Sequence, residues 1–223
     1  MDGGSKDQTV AIMNRYRDSL AAAVSEKDRG QAHAINKGLA KATGEVVCWL
    51  NSDDTYEPGA LAAVARHFGG NGSCLWAYGK CRIVDEDDRE IRPFITRYKN
   101  LLLARYSFSK LLSENFVSQP AVFWRRALLD EIGYLDEREH FCMDYEYWLR
   151  LGARHPAGVI DAWLANFRYH RASKSGSVDP RQFADELRIA RTYGAGHPLA
   201  LFLHALNYRK IVLAYRLLNA LGR

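Results

Sequence analysis

The chain has 223 residues with 48% hydrophobic content, which suits one packed domain. Its formal charge of +5 would favour anionic substrates or an anionic membrane surface without singling out nucleic acid, for which no motif is visible. Cys48, Cys74, Cys81 and Cys142 form no CxxC and meet no histidine at zinc spacing, which argues against a zinc site or disulfide scaffold and suits a reducing cytoplasm.

The start, Met1-Asp2-Gly3-Gly4-Ser5, is neither basic nor apolar, so no secretory leader is predicted. Thr9 to Arg17 reads as helix, Leu20 to Val24 as strand, Gln31 to Ala42 as helix and Glu45 to Leu50 as a short buried strand. Leu61 to Phe68 reads as helix, Gly69-Gly70-Asn71-Gly72 as a breaker, and Cys74 to Tyr78 as strand. This alternation predicts an α/β fold with a mostly parallel sheet flanked by helices. The run at residues 85–90 predicts a solvated turn, and Ile91 to Asn115 an irregular segment crossing the active-site face. Asp144 to Ala153 reads as helix, Gly158 to Tyr169 as strand, and everything from Pro180 onward as helix.

Trp49-Leu50-Asn51-Ser52-Asp53-Asp54 stands where an apolar run stops and a helix beginning near Pro58 takes over. Ligands of open α/β sheets bind at the carboxyl ends of strands, so two adjacent carboxylates there are well placed for chemistry. Such a pair repels itself, and magnesium or manganese, held together with substrate phosphates, would make both charges tolerable. Capping of the following helix is the equally open alternative.

Further segments follow in order. They are Ser25-Glu26-Lys27-Asp28-Arg29-Gly30-Gln31, Ala34-Ile35-Asn36-Lys37-Gly38, and Ser118-Gln119-Pro120 through Trp124-Arg125-Arg126. Ile132-Gly133-Tyr134-Leu135-Asp136, Met143-Asp144-Tyr145-Glu146-Tyr147-Trp148 and Phe167-Arg168-Tyr169-His170 complete the series. This succession resembles family-2 glycosyltransferases of the GT-A (Rossmann-like) fold, and the resemblance covers roughly residues 1–175. It implies an inverting transferase that moves a sugar from a nucleotide-sugar donor to a saccharide or lipid-linked acceptor with a divalent metal, Mg or Mn. A GT-A-like domain over residues 1–178 and a helical extension over 179–223 are expected. Relatives carry a strand, a helix and most of a second strand ahead of the segment that Asp2 to Thr9 resembles. The domain is therefore expected to be incomplete at its N-terminus, with buried backbone groups left unpaired, the alternative being that another strand fills the gap.

By the same resemblance, Asp54 would ligate the metal, with His170 completing the site or touching the diphosphate. Asp53 would contact the ribose or reach the metal through water. Asn51 stands where many relatives are acidic. Asp144 would be the general base, placed at a helix N-terminus whose dipole favours its ionised form. Relatives often have Glu where this chain has Met143. Asp2, Asp28, Gln31 and Asn36 would line the donor, with Gly30 and Gly38 allowing close approach, although His33 replaces an expected acid. Gln119 and Trp124 would shape the acceptor side, Glu146 would be a supporting or acceptor-side residue, and Trp148 an acceptor-side one, although the core is the commoner place for Trp124 and Trp148 taken singly. Arg168 and Lys174 could pair with phosphate oxygens.

The last segment, from His197 to Arg223, alternates leucines with Arg209, Lys210, Arg216 and Arg223. It is too interrupted by charge to span a bilayer. It could lie on an anionic membrane surface at the inner face of the cell membrane, pack on its own domain, or meet a second subunit. The principal rival to an active enzyme is a shortened, non-catalytic relative. A metal-dependent phosphotransferase or hydrolase ranks last, because Gly3-Gly4-Ser5 is a poor phosphate cradle.

Overall fold

The computed structural model describes residues 1–170 and 180–220. In chain order the elements are α1 (Thr9–Arg15), α2 (Gln31–Lys41), β1 (Val46–Val47), β2 (Thr55–Tyr56), α3 (Ala60–Gly70) and β3 (Trp76–Val84). Then come α4 (Pro93–Leu103), α5 (Phe108–Ser113), β4 (Val122–Arg125), α6 (Leu128–Ile132), α7 (Met143–Gly152), β5 (Gly158–Arg168), α8 (Pro180–Tyr193) and α9 (Pro198–Ala220).

The five strands form one sheet in the order β1-β4-β3-β5-β2. Of its pairings, β3 with β5 is parallel and the other three are antiparallel. The α/β architecture is as expected, but the sheet is mixed rather than mostly parallel. The long return strand β5 supplies the parallel register, while β1, β2 and β4 are short segments running against their neighbours. Where β3 meets β5 the register slips on both sides of Lys80. Gly79 sits at that slip because a Cβ there would lie 2.4 Å from Leu164 Cδ1.

β1 and β2 lie at opposite edges of the sheet, yet seven residues separate Val47 from Thr55. Four inter-strand gaps come to about 19 Å, and eight extended steps reach about 26–29 Å. The segment from Cys48 to Asp54 therefore has to run across the end of the sheet. That geometry puts the two aspartates over the carboxyl end of β5.

Two apolar layers hold this frame. One gathers Trp49, Trp76, Trp124 and Trp148 with Tyr145, Tyr147 and Phe116, and it extends into Ile189 and Ala190 of α8 and Ala200 of α9. The other packs Ala60, Val64 and Phe68 of α3 against Ala77, Phe123, Ile160 and Leu164. All four cysteines are free thiols.

Several local expectations need correcting. Leu20 to Val24 is not a strand; the pairing there is a single bridge between Asp2 and Ser25. Only Val46 and Val47 of the Glu45–Leu50 run are paired, because the chain then leaves the sheet edge. β3 reaches Val84, well past Tyr78. The segment 91–115 is largely helical: Arg92 takes a left-handed conformation (φ 53°) and Pro93 opens α4, while the Ser107 side chain caps α5 by accepting from Lys110 N. No helix among the described residues is long and apolar enough to cross a membrane.

Candidate active site

Asn51 organises the segment that crosses the sheet end. Its Oδ1 accepts from Gln31 Nε2 (2.9 Å), and its Nδ2 donates to Gln119 Oε1 (2.9 Å) and Asp54 Oδ2 (3.1 Å). Gln119 Nε2 in turn donates to the Trp49 carbonyl (2.7 Å). An amide serves here better than the acid of many relatives, because it can donate to the Asp54 carboxylate while accepting from Gln31. Gln119 thus braces the strand-end segment.

Asp54 is buried, and its Oδ1 accepts from the Arg168 backbone N–H (2.9 Å) at the end of β5. Burial pushes its carboxyl up to about 6; the charge of Asp53 adds to this, and the bonds from Arg168 and Asn51 oppose it. Asp53 is more open: its Oδ2 lies 3.1 Å from His170 Nε2, and its carbonyl accepts from Arg168 Nε. Asp53, Asp54 and His170 therefore meet at the end of β5. Among the described residues no three acidic, histidine or cysteine side chains form a preformed metal cage. The donor chemistry nevertheless fits a hard divalent ion held by one or two carboxylates and finished by substrate phosphates. A cation beside Asp54 would offset the cost of ionising a buried carboxyl.

Asp144 lies in the first turn of α7, half-buried, with its Oδ1 accepting from Tyr145 N (2.8 Å). Trp148 is four residues on and therefore shares its helix face. That indole stacks on Trp49 with centroids 5.4 Å apart and planes 15° apart. The stack fastens α7 to the start of the segment that runs on to Asn51 and Asp54. Trp148 itself is fully buried between Trp49 and Trp76, so it offers no face to a sugar. Trp124 is equally enclosed. Glu146 is also not open to an acceptor: Arg150 and the Tyr193 hydroxyl take up its buried carboxylate.

The expected donor-side residues divide. Gln31 joins the Asn51 network, as above. Asp28 stands beside the N-terminal turn, accepting from Gly30 N (2.9 Å) while Gly3 leaves room for its carboxylate, which a Cβ would approach to 2.4 Å. Gly30 has a φ of 125°, a conformation that favours glycine. Asp2 instead spends its carboxylate internally: Ser25 Oγ, Gly4 N and Ser5 N donate to Oδ2, and Ser5 Oγ to Oδ1. These bonds, led by that from Ser25, hold its carboxyl far below the ordinary range and leave little capacity for a ribose or base. Asn36 clamps the backbone of Leu135 through both ends of its amide, at 2.9 and 3.0 Å, and so fastens α2 to a loop. Arg168 is likewise committed, donating to the carbonyls of Asp53 and Asp85 and to Asp88, so it is not a free phosphate partner. Lys174 lies outside the described residues.

The profile of glycosyl transferase family 2 matches residues 1–133. The chain belongs to that family. An uncharacterized glycosyltransferase of Mycobacterium tuberculosis is 31% identical over 154 residues, covering 67% of this chain and 55% of the relative. A PGL/p-HBAD biosynthesis glycosyltransferase of Mycobacterium bovis is 29% identical, covering 67% and 56%. The chain thus spans about half the length of the curated relatives it matches. Among solved structures, Staphylococcus aureus TarS 1-349 in complex with UDP-GlcNAc superposes with a TM-score of 0.60 at 20% identity, covering 86% of this chain and 55% of that one. The mannosyltransferase PcManGT of Pyrobaculum calidifontis, in complex with GDP-Man and Mn2+, gives 0.59 at 19% identity, covering 97% and 69%. These superpositions establish the GT-A fold for this family-2 chain.

Two features of the site went unread in the sequence. The branching amide network of Asn51, Gln31 and Gln119 joins positions up to 88 apart in number, and no local pattern signals it. Glu186 lies near enough to Asp144 to feel its charge, but looks in sequence like one more surface acid of an amphipathic helix.

Proposed function

We propose that this chain transfers a sugar from a nucleotide-sugar donor to a saccharide or lipid-linked saccharide acceptor, with inversion at the anomeric carbon. The observation that carries the reading is the meeting of Asp53, Asp54 and His170 at the end of β5. Asp54 and His170 would hold a divalent ion, with Asp53 beside them, and the ion when bound would neutralise charge on the departing nucleoside diphosphate. Asp144 would accept the proton of the acceptor hydroxyl as its oxygen forms the new bond to the anomeric carbon. The bond from that carbon to the diphosphate oxygen breaks on the opposite side. The donors named in the complexes of TarS and PcManGT, UDP-GlcNAc and GDP-Man, make uridine and guanosine diphosphates the first nucleotides to try.

Asp2, Asn36 and Arg168, which are committed to internal bonds, favour the rival reading of a non-catalytic relative. Calorimetry separates the two. UDP, GDP and dTDP are titrated into the protein with and without manganese. Manganese-dependent binding of one nucleotide, lost in Asp54→Ala, is expected. Asp144→Asn should keep that binding and lose transfer by about 100-fold or more, the usual scale of general-base catalysis. Transfer retained in Asp144→Asn sinks the base assignment, and nucleotide binding by none of the three favours the rival.

A further inference from the structure

Beside the N-terminus of α7 lies a cleft of about 410 Å³ walled by α4, α5, α8 and α9. Its size falls within the usual range for small-molecule sites, roughly 300–1,000 Å³. Cys142, the residue before α7, donates its Sγ to the Gln182 carbonyl, so the cleft wall starts within two residues of Asp144.

The lining is unusual for a gap between helices. It contains three side-chain amides, Asn115, Gln182 and Asn207, and the rings of Tyr98 and Tyr208. Two carboxyl groups, Glu114 and Glu186, stand with two ammonium groups, Lys99 and Lys210, so the lining carries both signs and no strong excess of either with which to select an ion. His204 donates Nδ1–H to the Leu112 carbonyl (2.7 Å), which leaves Nε2 as an acceptor, and burial keeps the ring neutral. Asn115 meets Glu186 only through a long bond, Nδ2 to Oε1 at 3.3 Å, and its buried Oδ1 has no hydrogen-bond partner. A buried acceptor without a donor is unfavourable, and a small rotation of this loosely held amide would let a ligand hydroxyl donate to it. Burial pushes the Glu186 carboxyl up to about 7, with the charge of Asp144 adding to the effect, so near neutrality it can either donate or accept.

We propose that this cleft binds a neutral, hydroxyl-rich sugar unit of the acceptor, through Asn115, Glu186, Gln182 and Asn207 with Tyr98 against its apolar face. Amides and a carboxyl can each engage neighbouring hydroxyls, and an aromatic ring covers the C–H face of a pyranose. The position of the cleft at the start of α7 would set one hydroxyl of the bound sugar toward Asp144. Assignment of the sugar to the acceptor rests on the transferase reading above; the binding of a sugar does not.

The test titrates the full chain with the methyl glycosides of glucose, galactose, mannose and N-acetylglucosamine, followed by protein-observed NMR. At least one should bind in the millimolar range, with affinity falling about tenfold in Asn115→Leu and in Glu186→Gln. Tyr98→Ala, at an exposed rim position, should weaken binding without altering the fold. Manganese-dependent nucleotide binding, measured in parallel, should be unchanged in all three. No binding by any glycoside, or equal binding by wild type and variants, overturns the proposal. Failure of nucleotide binding alone removes the donor reading and leaves the glycoside result standing.

Discussion

At the scale of single residues, Asp54 sets site chemistry against stability. Its carboxyl is pushed up to about 6, chiefly by burial, whereas an unfolded chain ionises it near the ordinary 3.8. The sign follows directly. Below about pH 4 the group is protonated in both states and costs nothing; as pH rises through 6 the folded state holds an unfavourable ion. The full difference is on the order of 3 kcal/mol above pH 6 in metal-free protein. Asp54→Asn should remove that cost. It would also turn an amide against the Asn51 Nδ2 donor, which offsets part of the gain. The expected result is a net stabilisation of roughly 1 kcal/mol at pH 8, none at pH 4, and no manganese response. Thermal unfolding at the two pH values measures it, and an equal change at both would refute the account. The adjacent acids of Asp53 and Asp54 were legible from sequence because strand ends and paired carboxylates leave a local mark. The enclosure of Trp148 was legible as the core alternative for a large aromatic residue, but its stacking between the indoles of Trp49 and Trp76 was not, because those partners lie far away in sequence.

Among the elements, the β3–β5 seam is the part on which the site depends, since β5 delivers the Arg168 N–H and His170 to the two aspartates. Gly79 lets this seam close around the register slip beside Lys80. A methyl group there would stand 2.4 Å from Leu164 Cδ1, 2.7 Å from Leu164 Cγ and 3.1 Å from the Ala162 carbonyl oxygen. Leu164 is fully buried, so it has nowhere to withdraw. Overpacking of this kind costs about 1–3 kcal/mol. Gly79→Ala is therefore expected to lower the denaturation midpoint by that much and to weaken any nucleotide affinity, because the end of β5 must shift. Unchanged stability by urea denaturation would show that the strands part freely. Helices α2, α3, α7 and α8 were readable in the sequence from apolar periodicity, but Leu20 to Val24 has strand composition and no neighbour to pair with. The helices within residues 91–115 hid because their starts depend on the left-handed Arg92 and on the Ser107 cap more than on an apolar stripe.

Over the whole molecule, the division between a domain at 1–178 and a helical extension at 179–223 carries a testable energetic content. α8 packs on α7, α9 packs on α5 and α8, and Ile189, Ala190 and Ala200 enter the same apolar layer as the stacked tryptophans. Outward, α9 shows Leu199, Phe202, Leu203 and Leu206 to solvent, so its inner and outer faces are both apolar. Burying one large aliphatic side chain contributes about 1.5–3 kcal/mol. Leu187 and Ile189, together with Tyr193 and Leu201 packed against the layer, would thus account for several kcal/mol, comparable to the 5–15 kcal/mol that typically holds a domain folded. Tyr193 also bonds Glu146, and its loss would leave the buried Glu146–Arg150 pair one partner short. A chain ending at residue 178 should therefore lose its cooperative thermal transition and aggregate, and the cleft between α4 and α9 should vanish with it. If that shortened chain instead unfolds cooperatively and still binds a nucleotide with manganese, the helices are an appendage to a self-sufficient transferase core. Loss of both properties would make α8 and α9 part of the catalytic domain, joined to α7 and so to Asp144.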